Sequence, residues 1–497
     1  MRVTIASRRS DLARIQAYQV GEALGAAHPQ IEINYSFHES LGDRNQNDPL
    51  WQMPEKGVFT QDFREGLLRG DFDLVVHSWK DLAIEEDFET EIAATLPRAD
   101  ARDLLLVRKD RWPEVERTGI MSVLTSSPRR SYNLESFLRD GLPARLRELN
   151  FVNVRGNVPT RVRKLLELET DGLIVAKAAL DRLLAAKQSE FATTREALRQ
   201  ALSQCRWMVL PLRENPSAPA QGALAIEIVR RRVDLRGLLA PLKCADTFAA
   251  VTLEREILRG YGGGCHQKIG ASVLRRPYGE ITFLRGLTDN GQVLDSCSLR
   301  PSRPRPPKIP RAQMWPLGSA DSDWFARQAI SVKPPDGAPA LWIAKADALP
   351  DDWYPEEGQV VWAGGVQTWK RLARRGVWVH GSAESLGEHE PQNIATLAGE
   401  DLKWLKLTHA AGYDEGRLPM LVTYRLVAKN ESPELEGRKY FFWKSGSSFE
   451  HALALNPWIR EMTHFCGPGN TQRILERNGV QPFVFLDHAQ WLDEMSM

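Results

Sequence analysis

An α/β fold is expected for this 497-residue chain, and three observations predict it. Through the first 230 residues a β-branched apolar run repeatedly ends in a short polar loop that opens a helical pattern. A helix-rich stretch then leads to strand-like "EITFLRGL" (280–287). Past residue 336 the segments "AGGVQTWKRLARRGV" (363–377) and "CGPGNTQRILERNGV" (466–480) align without gaps, each reading as a strand end, a glycine turn, a threonine cap and a helix closed by glycine.

The strands and their loops follow in chain order. "RVTIA" leads to "SRRSD" and a helix with Leu12, Ile15, Val20 and Leu24 on one face, and "DLVV" leads to "HSWKD". "MSVL" leads to "TSSPRRS", "FVNV" to "RGNVPTR" and a helix through Leu165 and Leu168, and "GLIV" to "AKAALDR". In open α/β sheets the carboxyl ends of strands form the binding crevice, where unpaired N–H groups of helix starts favour anions. These loops carry Arg8, Ser10, Lys80, Ser126, Ser127, Arg129, Arg130, Arg155, Thr160 and Arg161. Helix capping explains one such Ser or Thr, and an ordinary surface explains one Arg. Five loops of the same chemistry read instead as one carboxylate or phosphate cradle.

Two features interrupt the pattern. "YGGGCHQKIG" (261–270) sets Cys265 behind three glycines, which allow a tight loop and close approach of a ligand. "LRPSRPRPPKIPR" (299–311) can continue neither a helix nor an interior strand, and reads as a solvated linker. Two similar α/β lobes explain the internal echo beyond it.

Composition narrows the function classes. Lys plus Arg (65) nearly cancels Asp plus Glu (64), so no whole-molecule field points to nucleic acid or an anionic membrane. The cysteines at 205, 244, 265, 297 and 466 show neither disulfide nor zinc spacing, so no metal is expected. No run reaches the apolar length of a membrane span, and the first residues lack an apolar signal core, so a cytoplasmic protein is expected.

Taken together, "IASRRSDLA", "EKGVF", "HSWKDL", "TSSPRRS", "VRGNVPTR", "AQGALAIE" and "GGGC", in that order over residues 1 to about 300, resemble the porphobilinogen deaminase (hydroxymethylbilane synthase) family. The resemblance implies that four porphobilinogen molecules are joined head to tail, with loss of ammonia, to give hydroxymethylbilane. It implies a dipyrromethane primer in thioether linkage to Cys265, a bond that sulfur forms readily and that resists hydrolysis. Lys80, Ser126, Ser127, Arg129, Arg130 and Arg155 would hold cofactor carboxylates, which suit guanidinium forks. Arg8, Ser10, Arg161 and Arg182 would line the substrate site and the path of the growing chain. Asp81 matches the catalytic aspartate, which would stabilise the azafulvene cation left by ammonia and move protons off the coupled ring. Lys56 and Phe59 match a mobile covering loop, and Gln221 matches a hinge glutamine. The chain departs from the family pattern at Gln52, where many members carry a base, at Pro128, where an aliphatic residue is usual, and at Ala220, where glycine is common. "LA" also replaces the usual Val-Pro after Lys80-Asp81.

The implied fold is two lobes like those of type II periplasmic binding proteins plus a small α+β domain with the cysteine loop. The expected boundaries are 1–99 completed by 204–230, then 100–203, then 231–300, with a linker region at 301–335 and hinges near 99–103 and 204–220. "AGGVQTWKRLARRG", "VTYRL", "FFWKSGSSF" and "CGPGNTQRILERNG" resemble uroporphyrinogen-III synthase, which implies flavodoxin-like lobes at 336–400 and 401–497 and ring closure of hydroxymethylbilane. Tyr424, Thr368 and Thr471 are its candidate site residues, and the first lobe reads as truncated at its start. Two alternatives stay open: a deaminase with a non-catalytic C-terminal region, and a two-lobed carboxylate-binding protein with Cys265 unmodified. A monomer without nucleic-acid or membrane partners is expected.

Overall fold

A computed structural model of the chain describes residues 1–39, 61–85, 87–263, 267–318, 324–410, 412, 418–429 and 434–497. It is a mixed α/β structure with five sheets among the described residues. The chain divides into two compact units, one of residues 1–139, 144–275 and 282–297, the other of 140–143, 276–281 and 298–497.

The first unit opens with β1 (Arg2–Arg8), α1 (Asp11–Ala27), β2 (Glu32–His38), α2 (Gln61–Arg69), β3 (Leu74–Ser78) and β4 (Thr90–Ala94). Val3 and Ile5 of β1 bury against Val20 and Leu24 of α1, the face expected from the helical spacing. Ser10 caps α1, its Oγ accepting from Ala13 N at 3.4 Å. After β3 the chain makes a single 3₁₀ turn, Trp79–Asp81, in place of the helix expected there. The Trp79 ring is the reason: it buries beside Leu82, Ala223 and Val251 and meets Phe248 edge-on at 5.3 Å, so the backbone turns once and leaves extended.

A second sheet is built from β5 (Asp103–Arg108), α3 (Trp112–Thr118), β6 (Ile120–Leu124), α4 (Pro128–Gly141), β7 (Glu148–Val152), α5 (Val158–Glu167), β8 (Gly172–Ala176), α6 (Lys177–Ala185), α7 (Ala192–Ser203) and β9 (Cys205–Val209). Helix α5 stops one residue before Leu168, which is exposed. The strand order is β7-β6-β8-β5-β9, and β9 pairs antiparallel with β5. Residues 205–209, expected with the first sheet, therefore complete the second, because their apolar side chains pair along β5. The chain returns through 210–223 to β10 (Leu224–Val229), which closes the first sheet in the order β2-β1-β3-β10-β4. Then come α8 (Val233–Leu239), α9 (Ala245–Gly260) and a sheet of β11 (Gly270–Arg276), β12 (Gly279–Leu287) and β13 (Val293–Pro301).

The second unit contains β14 (Met314–Trp315), β15 (Phe325–Ala329), β16 (Ala340–Ile343), β17 (Val361–Ala363), α10 (Val366–Ala373), β18 (Gly381–Ser382), α11 (Ala395–Ala398), β19 (Trp404–His409) and β20 (Met420–Ala428). It ends with β21 (Tyr440–Trp443), α12 (Gly446–Leu455), β22 (Thr463–Cys466), α13 (Asn470–Arg477), β23 (Phe483–Val484) and α14 (His488–Met495). The sheets are β15-β20-β19-β16-β17-β18 and β14-β21-β22-β23.

This threading corrects two expectations. The boundary at 400/401 falls inside the six-stranded sheet, which takes β19 and β20, and the expected linker supplies a strand to each sheet. One lobe is thus inserted into the other, and the apparent truncation of the first lobe arises from reading the two as a tandem. Nor is the Pro–Arg segment a solvated spacer. Arg303 stacks on Phe483 at 4.0 Å, and Arg305 stacks on Phe485 at 3.7 Å and pairs with Glu494. Ile309 donates its N–H to Met495 O at 2.8 Å. Both halves of the echo are strand, glycine turn and helix, closed by Gly376 (φ 81°) and Gly479 (φ 79°). The expected threonine caps are not caps: Gly365 and Gly469 occupy those positions, and Thr368 and Thr471 lie inside the first turns.

Candidate active site

The centre of the first unit is a buried carboxylate. Asp103 opens β5 with no exposed surface, and four side chains reach it. Arg129 Nη2 donates to it at 2.8 Å, Arg130 Nη2 at 2.7 Å and Nε at 3.1 Å, Asn215 Nδ2 at 2.8 Å and Gln221 Nε2 at 2.8 Å. Burial alone would raise its pKa; Arg130 and Arg129 outweigh that and hold it well below the usual carboxylate range. Arg129 also donates to Asn215 Oδ1 and Pro216 O, and Arg130 to Ile174 O. Both arginines were expected to hold cofactor carboxylates. Their forks donate to Asp103, because a carboxylate buried at the start of β5 needs charged donors.

Gln221 joins this network to Lys80. Its Oε1 accepts from Lys80 Nζ at 3.2 Å, while its Nε2 also donates to Ala101 O at 2.7 Å. Both segments that cross between the two sheets are thereby fixed to one carboxylate. The half-buried Lys80 has its pKa lowered to about 8, first by desolvation and then by Arg130 and Arg129, with Asp81 and Asp103 opposing.

Further described residues of the expected set lie on the neighbouring loops and helices. Asp81 lies in the 3₁₀ turn after β3, its Oδ2 4.0 Å from Arg8 Nη1. Arg161 donates to Gly156 O at 2.8 Å, and its pKa is lowered to about 10 by burial, Arg130 and Arg155, against Asp81. Ser126 joins two loops, donating to Val154 O at 2.5 Å and accepting from Val154 N at 3.0 Å. Arg155 follows directly and is half-buried. Arg182 donates to Gly222 O and Gln19 Oε1, and burial lowers its pKa to about 10. Ser10 and Ser127 serve their helices: Ser10 caps α1, and Ser127 Oγ accepts from Arg130 N at 3.4 Å in the first turn of α4. Arg8, Lys80 and Arg161 thus lie within electrostatic reach of Asp81, with Arg155 beside Arg161, and the pKa values of Lys80 and Arg161 are lowered first by burial and then by neighbouring arginines.

Lys56, Phe59 and Cys265 lie outside the described residues. The approach to Cys265 is described: α9 ends at Gly260, and Gly262 (φ 93°) and Gly263 (φ 67°) adopt the left-handed backbone that favours glycine. Helix α9 is braced by Glu254, which receives both Nη atoms of Arg98 at 2.6 and 2.9 Å and the N–H groups of Ala220 and Val273. Sequence reasoning missed Asp103, Asn215 and Glu254. A signal existed for the first, since two adjacent arginines after a buried strand need a carboxylate within the fold.

The comparisons with known proteins bear on this site. A family model described as "Porphobilinogen deaminase, dipyromethane cofactor binding domain" matches residues 3–236. The porphobilinogen deaminase of Clostridium novyi is 31% identical over 303 residues, 59% of this chain and 91% of that protein. That of Acidothermus cellulolyticus is 38% identical over 304 residues, 57% of this chain and 82% of that protein. The chain belongs to the porphobilinogen deaminase family. Among solved structures, the effector-binding domain of BenM with benzoate has a TM-score of 0.26 at 11% identity, covering 52% of this chain and 93% of that one. The uroporphyrinogen-III synthetase of Helicobacter pylori has a TM-score of 0.25 at 13% identity, covering 34% of this chain and 88% of that one. Likenesses at those scores carry no assignment.

The porphobilinogen deaminase match leaves the second unit to be read from its own geometry. Tyr424 is buried on β20 and stacks on His409 of β19, with ring centroids 5.5 Å apart at 29°. Burial raises the Tyr424 pKa, with Arg327 opposing. His409 Nε2 lies 3.0 Å from Ser447 Oγ in the first turn of α12, so it spans the two lobes of this unit. Thr368 is buried and Thr471 half-buried in their helices. Among the described residues no His, Cys, Asp and Glu group has metal-binding geometry, and no helix is long and apolar enough to cross a membrane.

Proposed function

We propose that this chain is a hydroxymethylbilane synthase that joins four porphobilinogen molecules head to tail, releasing ammonia at each step, on a dipyrromethane primer attached to Cys265. The observation that carries this reading is the excess of cations around Asp81, which suits pyrroles bearing an acetate and a propionate each. The primer supplies the terminal pyrrole carbon from which the chain lengthens. Lys80, Ser126 and Arg155 fit its carboxylates, with Arg129 and Arg130 holding the crevice in shape through Asp103. Arg8, Ser10, Arg161 and Arg182 receive the substrate carboxylates, and Lys56 and Phe59 cover the site. Asp81 accepts the substrate's pyrrole N–H, stabilises the cation formed as ammonia leaves, and takes the proton released by the coupled ring.

The two crossed sheets serve as lobes of the periplasmic-binding-protein type, and the α9 to β13 region serves as the cysteine-bearing domain. Segments 95–102 and 210–223 act as hinges while the product lengthens. A cytoplasmic monomer goes with this reading. For the second unit we propose a uroporphyrinogen-III synthase of two flavodoxin-like lobes, supported by the paired glycine turns at strand ends and by the buried Tyr424.

Intact mass of the purified chain beside Cys265→Ser tests the first reading. A dipyrromethane increment on the parent and none on the variant is expected; a parent that stays unmodified after incubation with porphobilinogen would overturn it. Isomer analysis of the oxidised product tests the second, which fails if only the type I ring forms.

A further inference from the structure

The six-stranded sheet of the second unit grows outward from β16. β17 and β18 follow on one side, β19 and β20 on the other, and all five run parallel. The order therefore reverses between β16 and β19, and ligands of open α/β sheets bind beyond the strand carboxyl ends at such a reversal. Lys345 follows β16 there, and His409 ends β19.

The surrounding charge is unbalanced. Arg327 of β15 and Arg371 of α10 share the carboxylate of Asp347, with Arg371 Nη2 at 2.6 Å. Lys345 stands two residues before Asp347 in a turn that Arg375 pins by donating to Ala346 O at 3.0 Å and Leu349 O at 2.9 Å. Removal from water around its stem, then Arg327 and Arg371, lower the Lys345 pKa against Asp347, although part of the side chain stays in solvent. Arg327 and Arg371 are 44% and 54% exposed, so both can reach a ligand. Arg327 also lies 5.9 Å from the Tyr424 ring centre, with His409 stacked against the same ring. Burial, Lys406 and Arg327 lower the His409 pKa.

We propose that Arg327, Lys345 and Arg371 form an anion-binding site that takes the carboxylates of a polypyrrole and sets one of its rings beside Tyr424. The choice of a polypyrrole rests on the synthase reading; the anion site rests on the strand reversal and the three cations.

The test is a titration of the full chain with uroporphyrin I, a stable octacarboxylate, read by its fluorescence. The parent is compared with the double variant Lys345→Ala/Arg371→Ala and with Lys345→Arg. The double variant should lose one binding class, or weaken it about 30-fold, as expected when two charged contacts are lost. Lys345→Arg should retain that class, and porphobilinogen consumption should stay at the parent rate in both. Binding unchanged within twofold in the double variant overturns the proposal, as does a parent that binds no uroporphyrin I. Loss of the binding class in a chain whose parent makes no type III ring upholds the site and removes the synthase reading. Unchanged binding in a chain that makes the type III ring does the reverse.

Discussion

The two units carry positive charge at the ends of their strands in opposite ways. In the first, the arginines beside the crevice are tied to Asp103, buried at the junction of the two crossing segments, and the cations left over converge on Asp81. In the second, Arg327 and Arg371 share Asp347 near the surface with Lys345 two residues before it, while a buried pair, Lys406 with Glu388, lies apart from them within the sheet. A buried counter-ion fixes geometry and makes the fold depend on it; an exposed one leaves the cations available and the fold indifferent to them.

The largest expected effect breaks the chemistry of the first unit alone. Asp81→Asn should lower porphobilinogen consumption by roughly 10²–10⁴-fold, as for loss of a positioned proton-transfer group, with the thermal midpoint unchanged. Comparable rates in parent and variant would remove Asp81 from the bond-making role. Asp103→Ala should instead unfold, costing about 3–5 kcal/mol because two guanidinium groups lose a buried partner. The matching change Asp347→Ala should cost under about 1 kcal/mol, since its partners are half in water. Urea unfolding of both variants checks the contrast, and equal losses would contradict it.

Acid separates the units next. Burial lowers the pKa of His464 to about 4 against the opposing bond to Ile459, so below about pH 6.5 the unfolded chain takes up the proton first. Stability of the second unit should fall between about pH 6.5 and 4, by up to about 3 kcal/mol. In the first unit burial would raise the pKa of Glu227, but His77, Thr90 and Arg64 hold it at about 2. Its contribution is present above about pH 4.5 and is lost toward pH 2, so the first unit should hold longer. Hydrogen exchange followed from pH 7 to 3 should show the second unit opening first, and His464→Gln should remove that early loss. Smallest is Ala220→Gly. Ala220 holds φ at 66°, a conformation costly for a residue with a Cβ, so glycine should stabilise the first unit by about 1 kcal/mol in urea unfolding.

The first unit was legible because its functional loops are local. Each motif is a strand end and the helix start after it, so "TSSPRRS" and "VRGNVPTR" place their residues without knowledge of the rest of the chain. What stayed hidden there was long-range: Asp103 is 118 residues from Gln221, and nothing in either motif announces the bond. The single turn at Trp79 was likewise set by a partner far along the chain, Phe248. In the second unit the glycine-turn helices were readable from their echo, but the lobes were not. Chain order and sheet membership differ there, and a tandem reading necessarily cut between β18 and β19.

That insertion also governs when the protein can fold. β14 at Met314–Trp315 pairs with β21 at Tyr440–Phe441, about 125 residues further along. At a ribosomal pace of roughly 5–20 residues per second, β14 waits on the order of ten seconds for its neighbour, long after the deaminase segments have emerged. Through that interval the strap around Ile309 and the apolar Met314 and Trp315 have nothing of their own sheet to pack on. A division of the gene at codon 335 would separate them from it permanently, so any C-terminal fragment that keeps this sheet must begin before Ile309.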